Sequence, residues 1–381
     1  MHDLAAASLD ALVQALKSED RDRRAGAMGE LGRRGRDGDL RVVQALVEAL
    51  DRLPLDAGEA AAEREYAVEY LERIGPPAVD RLLAVLVDPV RPSPTRCDVA
   101  RAVGNIGDTR AREVMVTILQ DGAEDLELRR TVAFYLGRLQ DHRAVEPLLA
   151  LAADPETDRT VRRNALAALG ELADRQSFDV LLSLLYDPEV SNMASTALQP
   201  LQDPRALDQL LPTLGSDDAQ WRQNVAAIVG KVGEPAVEPL LALLKRADWR
   251  VRAGAATALG FTGDRRGGGP LTSLALQDSD SRVRREAAAS LGFLDDAPVV
   301  PALVAVLEDE DVHVRLAAMQ SLYHLALPGR APTSILSQVE WVATHDAGTI
   351  NGHEVMKDVG QRVVRELRRA LTGGNHRLDS S

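Results

Sequence analysis

The stretch VRREAAASLGFLDD that begins at Val283 recurs in the same chain as VRRNALAALGELAD from Val161 and VRAGAATALGFTGD from Val251. A phrase rewritten at a fixed interval constrains the fold more than any single motif does. It describes one structural unit stacked on copies of itself, a chain that grows by addition without closing a single core. Aligned on its Leu-Gly pair, the phrase has ten copies: Leu31-Gly32, Leu71-Glu72, Val103-Gly104, Leu136-Gly137, Leu169-Gly170, Leu198-Gln199, Val229-Gly230, Leu259-Gly260, Leu291-Gly292 and Leu322-Tyr323. From Gly104 to Tyr323 the steps are 33, 33, 29, 31, 30, 32 and 31 residues; the step from Gly32 to Glu72 is 40. Such an interval holds two helices of about a dozen residues each and two short connections.

Three further columns run in register with the landmark. Arg stands seven residues before it in nine of the ten copies, at Arg24, Arg64, Arg96, Arg129, Arg162, Arg222, Arg252, Arg284 and Arg315, with Ser191 the exception. Four residues before that Arg comes Asp in eight copies: Asp20, Asp125, Asp158, Asp187, Asp218, Asp248, Asp280 and Asp311. A small or β-branched residue, Ala27 through Ala318, stands four before the landmark. Asp ahead of an apolar-periodic run is an N-cap signal, because its carboxylate accepts from the unpaired amides of the first turn and sits at the positive end of the helix dipole. The Arg four residues on shares its helical face, so an Asp–Arg pair within the helix start is expected. Its guanidinium fork is also expected to reach the neighbouring repeat, making a ladder along the stack. The small column and the glycine let helices approach closely.

The other helix of each unit reads RAVEPLLALAAD from Arg143, PAVEPLLALLKR from Pro235 and PVVPALVAVLED from Pro298. Pro147, Pro239 and Pro301 are expected near the helix start, where a missing amide proton costs little. Leucines at helical spacing supply a buried stripe. Each repeat is then helix A, a turn ending in Asp, helix B and a short polar turn. One helix pair cannot bury its own stripe, so the expected fold is all-α: a right-handed α-solenoid of about ten repeats. Aromatic residues make up only 3% of the chain, which fits a helical array built from Ala, Leu and Val and not a sheet.

The phrase DSRVRREAAASLG from Asp280 resembles the HEAT-repeat superfamily, in particular the short variety named after phycobilisome lyases. The resemblance spans roughly residues 9–329 and is specific for fold. It implies three kinds of activity: a bilin-attachment protein, a metal-dependent hydroxylase of a lysine-derived residue, and a scaffold. The hydroxylase branch, by the same resemblance, holds a di-iron centre through several His-Glu dipeptides. This chain has seven histidines and one such dipeptide, His353-Glu354, outside the repeats. The first-coordination ligands are therefore missing, and no metal or other cofactor is expected. For the lyase branch, Cys97 is the one thiol available; an inert small packing residue is the competing reading.

The domain reading is a repeat array over 1–329, capping helices within 330–371 (about 333–345 and 353–371) and a disordered tail over 372–381. Repeat six lacks both the Arg, at Ser191, and the Gly, at Gln199, so a local change of curvature is expected there. A net charge of −13 argues against nucleic acid and anionic membrane as partners, since both require clustered Lys and Arg. No apolar run is long enough to span a bilayer, and a cytoplasmic location is expected. No phosphate loop, nucleophile elbow or zinc module is present.

What remains is a binding function carried by a protein partner on the concave helix-B face. Two residues past the landmark, consecutive repeats carry Lys231, Phe261, Phe293 and His324, which stacking should align in a row. The competing reading buries both phenylalanines between repeats. Trp249 is expected at the rim and Trp221, which replaces the core Val, inside. Arg130, Arg163 and Arg285 are further candidates for meeting an acidic partner, against the plainer reading of solvated charge.

Overall fold

The computed structural model describes residues 7–35, 40–53, 59–294 and 299–326, with 339–340, 344, 359–365 and 368 beyond them. The described residues form ten helix pairs in sequence order, an α-solenoid without β-strands. The first pair is Leu9–Ala15 with Arg21–Gly35, and the tenth is Val299–Val306 with Val312–Ala326. The chain divides into two compact units, Met1–Ala197 and Leu198–Ser381. The division falls at repeat six, whose helix B, Ser191–Leu198, is short and runs into a 3-10 turn at Gln199–Leu201 that contains Pro200. Gln202 closes that turn in the left-handed region, at φ 48°.

The sequence columns are the core. All ten landmark residues, Leu31 to Leu322, are buried, as are all ten of the small column, Ala27 to Ala318. The nearest neighbour of each regular helix B is the helix B of the adjacent repeat, and glycine explains why. A Cβ placed on Gly137 would lie 2.7 Å from the Ala168 Cα, and one on Gly260 would lie 2.7 Å from the Ser290 Cβ. Neither distance is compatible with a side chain, so the helix backbones cross where only hydrogen fits. Where the residue facing the glycine is large, it is an aromatic one laid against the bare backbone: Tyr70 on Gly32, Tyr135 on Gly104 and Phe261 on Gly230.

All eight predicted Asp caps accept a backbone hydrogen bond in the turn that follows, among them Asp158 from the Thr160 amide at 2.8 Å and Asp311 from the His313 amide at 2.8 Å. The Arg column behaves differently from the expected pair within the helix. Each guanidinium turns back within its own repeat and hydrogen-bonds carbonyls either at the end of helix A, which helix geometry leaves without partners, or in the turn that follows it. Arg162 donates to the Ala152 carbonyl at 3.0 Å, and Arg64 to those of Leu50 and Leu53 at 2.7 and 2.8 Å. Its other edge reaches an acid of the next repeat: Arg24 to Glu63, Arg64 to Asp98, Arg96 to Glu124, Arg162 to Asp187, Arg252 to Asp278 and Arg284 to Asp309. The repeats that lack the cap Asp, two and three, supply the acid from helix B itself, as Glu63 and Asp98.

Two smaller expectations are corrected. Pro147 and Pro301 stand at the third helical position, but Pro239 lies inside its helix, the sixth residue of Glu234–Leu243. In repeats three, five, six and nine a separate 3-10 turn such as His142–Ala144 precedes helix A, whereas here the α-helix itself begins at Glu234. Trp221 is only half-buried, because an indole exceeds the slot that Val161 and Val283 fill completely. No described helix is long and apolar enough to cross a membrane. The capping helices proposed at 333–345 and 353–371 fall largely, and His353-Glu354 and the 372–381 tail wholly, outside the described residues. Within them, residues 359–365 are helical, Val339 and Val363 are buried, and Arg368 pairs with Glu340 at 2.6 Å.

Candidate functional site

Stacking brings three of the four ridge residues together. The rings of Phe261 and Phe293 lie 5.6 Å apart, tilted by 36°, and Phe293 stacks on the His324 imidazole at 6.5 Å and 21°. These are offset aromatic contacts, the favoured geometry for ring quadrupoles. They arise because all three residues stand at the same register, two past the landmark, in stacked repeats eight, nine and ten. The phenylalanines do not disappear between the repeats: Phe261 is half-buried and Phe293 is 57% exposed. Lys231 extends the row by position and is exposed beside Gly230, against which Phe261 packs.

At the opposite end of the same helices Trp249 forms a second cluster. It is half-buried, and its rim position is occupied by arginines. The Arg282 guanidinium lies 3.4 Å from the ring centroid, Arg250 at 5.0 Å and Arg222 at 5.5 Å. Cations over an indole face are held by the ring quadrupole, which fixes these long side chains in place. Beside the ring a hollow of about 160 Å3 opens between helices Ala219–Lys231, Trp249–Thr262 and Ser281–Leu291, lined by Gln223, Gly254, Thr257, Arg282, Arg285 and Glu286. Arg285 therefore joins Trp249 at one site, and it pairs with Glu286 at 2.5 Å. A broader hollow of about 480 Å3 on the helix-A side, walled by Leu241, Leu244, Pro270 and Leu274, is predominantly apolar.

The other two arginine candidates lie in the first unit. Arg130 is half-buried and paired with Glu127 on its own helix, while Arg163 is exposed. Nothing in their surroundings repeats the Trp249 cluster. Sequence reading missed this cluster because it joins one residue of the Arg column, Arg222, to two outside the columns; the clue is the pair of basic residues, Arg250 and Arg282, just inside consecutive caps. Cys97 is half-buried, and burial, opposed by hydrogen bonding to Thr131 and Ser93, pushes its thiol up to about 11. A thiol of that kind holds almost no thiolate at neutral pH and is a poor nucleophile. Among the described residues no group of three or more His, Cys, Asp or Glu side chains is placed to hold a metal ion.

Models of HEAT repeats match residues 91–160, 156–229, 207–272 and 269–335. The chain belongs to the HEAT-repeat family. No curated protein matches the sequence. Among solved structures the chain is similar to the Kap95:Nup1 complex, at 14% identity and a TM-score of 0.54, covering 96% of this chain and 56% of that one. It is similar to importin-β crystallised with ammonium sulfate at 15% identity and a TM-score of 0.52, covering 95% and 57%. It thus spans little more than half the length of these importins. The complex of CpcE and CpcF of phycocyanin lyase from Nostoc sp. is 22% identical over 68% of this chain and 94% of that one, with a TM-score of 0.34. These likenesses speak to fold alone.

Proposed function

We propose that the protein is a non-enzymatic scaffold that holds a protein partner on the helix-B face of its solenoid. The observation that carries this reading is the row of Phe261, Phe293 and His324, in which the Phe293 ring packs on both others and Phe293 and His324 are open to solvent. Rigid aromatic side chains already held in place lose little entropy on binding and serve as anchors. Lys231, Trp249 and Arg285 frame the same face, and Arg130 and Arg163 are candidate contacts on the first unit. A solenoid of the same fold carries a protein in the Kap95:Nup1 complex. A chromophore-attachment role through Cys97 is disfavoured by the thiol's raised pKa.

Affinity capture from the native host, comparing wild type with Phe261→Ala/Phe293→Ala at matched circular dichroism and melting temperature, tests the reading. A partner kept by wild type and lost by the variant is the expected result. A partner retained equally by both removes the ridge from the interface.

A further inference from the structure

We propose that the second unit's helix-B face receives an extended acidic peptide segment of its partner, with an apolar side chain on the Phe261–Phe293–His324 row and a carboxylate on Arg282 and Arg285. The inference rests on the scaffold reading above and names the chemistry of the partner. Four observations lead to it.

The face has two rails and a floor. One rail, just inside the helix starts, is Arg250, Arg282 and His313; the other, at the helix ends, is the aromatic row. Between them Ala253, Gly254, Thr257 and Ala289 keep part of the floor low, beside the hollow that Gln223, Arg285 and Glu286 line. The corresponding position in the first unit reads Asp22, Ala62, Pro94, Glu127, Thr160 and Glu189, and the second unit's series begins with Gln220. Where that position is charged it is acidic in the first unit and arginine in the second, within a chain whose net charge is −13. An acidic segment is repelled by most of this molecule and attracted here.

The arginines are engaged but not spent. Arg282 gives its Nε and Nη2 to Asp280 at 2.9 and 2.7 Å, and Arg285 gives the same pair to Glu286 Oε1 at 3.1 and 2.5 Å. Each keeps Nη1 for a further acceptor, and the Trp249 ring holds the Arg282 guanidinium at a fixed height over the hollow. Arg250 is occupied more fully, by Asp217 at 2.8 Å and Asp248 at 3.6 Å, and is the lesser contributor.

Geometry sets the spacing. Arg285 and Phe293 are eight residues apart, six of them along the helix that ends at Leu291 (about 9 Å at 1.5 Å per residue) and two in the turn beyond it, about 12 Å in all. An extended peptide covers that distance in about four residues at about 3.3 Å each. The segment recognised is thus an apolar residue with Glu or Asp about four positions away.

The test uses fluorescently labelled synthetic peptides of about a dozen residues, an otherwise neutral, extended sequence with one Phe and two adjacent Glu about four positions from it. Anisotropy is read against the full chain. The expected result is binding about tenfold tighter than for the same peptide with Gln in place of Glu, a preference that shrinks as salt is raised. Arg282→Gln/Arg285→Gln is expected to erase the preference with an unchanged melting temperature, and Phe293→Ala to weaken both peptides. Equal binding of the Glu and Gln peptides, tighter binding of a Lys version, or no peptide binding would each overturn the acidic-segment proposal. Any of these with the captured partner still lost from Phe261→Ala/Phe293→Ala leaves the scaffold reading standing. Retention of that partner by the double variant removes the ridge on which both rest.

Discussion

The two compact units are built from the same columns, yet they finish the same surface positions differently. Two residues past the landmark the first unit carries Arg73, Asn105 and Arg138, and the second carries Phe261, Phe293 and His324. In the first unit Asn105 and Arg138 form a polar chain, in which the Asn105 amide donates to Glu72 at 2.7 Å and Arg138 to the Asn105 side-chain carbonyl at 2.9 Å, while Arg73 pairs with Glu69 on its own helix. In the second unit the row is aromatic and its rings touch. A polar chain satisfies itself and offers a partner little surplus, since such exposed contacts are worth little in water. An exposed aromatic row leaves apolar area in water that a partner would cover. The comparison separates what makes the stack from what uses it: the first is common to both units, the second is specific to one.

The common part should break first. Gly260→Val, which would drive a side chain into Ser290, is expected to destabilise the second unit by about 3 kcal/mol, and Gly137→Val to do the same to the first. Urea unfolding followed in each unit separately measures both losses; equal stability to wild type at either site would deny the backbone crossing. Arg284→Ala comes next, because it strips Asp309 of its partner in a largely buried pair, at a cost of about 3 kcal/mol. Arg282→Ala, whose Asp280 partner sits at the surface rim, should cost less than about 1 kcal/mol. A thermal melt in which the two variants fall equally would contradict the distinction between rung and rail.

A smaller effect concerns acid. Arg96 and Arg162, by hydrogen bonding, hold Glu124 and Asp187 below the usual carboxylate range, and Asp264 is lowered to about 2 by Arg266. Groups lowered on folding contribute stability that is present above their unfolded pKa and lost as pH falls through the folded one. Asp98 works in the opposite direction, raised by burial even with Arg64 beside it. The lowered acids are spread over both units, so the melting temperature is expected to hold near neutrality and to decline between about pH 4 and about pH 2. A maximum of stability in that acid range would mean that buried acids like Asp98 dominate.

How far the sequence foretold this depends on the kind of interaction. The Asp caps and the buried columns were legible because each is a short-range consequence of helix geometry repeated ten times. The row of Phe261, Phe293 and His324 was legible because stacking converts a fixed register into a line in space. The destination of the Arg column was not, since the carbonyls that claim Arg64 and Arg162 carry no side-chain signature. The arginines around Trp249 were missed for a related reason: Arg222, Arg250 and Arg282 come from three different positions or repeats, and only the fold puts them on one ring.

The most direct measurement places a photoreactive amino acid at two equivalent positions, Ala167 in the first unit and Ala289 in the second, and irradiates cells that express each form. Both positions stand two residues before the landmark on helix B. The account predicts a specific protein adduct from position 289 and none from position 167. An adduct from 167 alone, or from neither, would contradict the claim that the second unit's helix-B face is the one that binds.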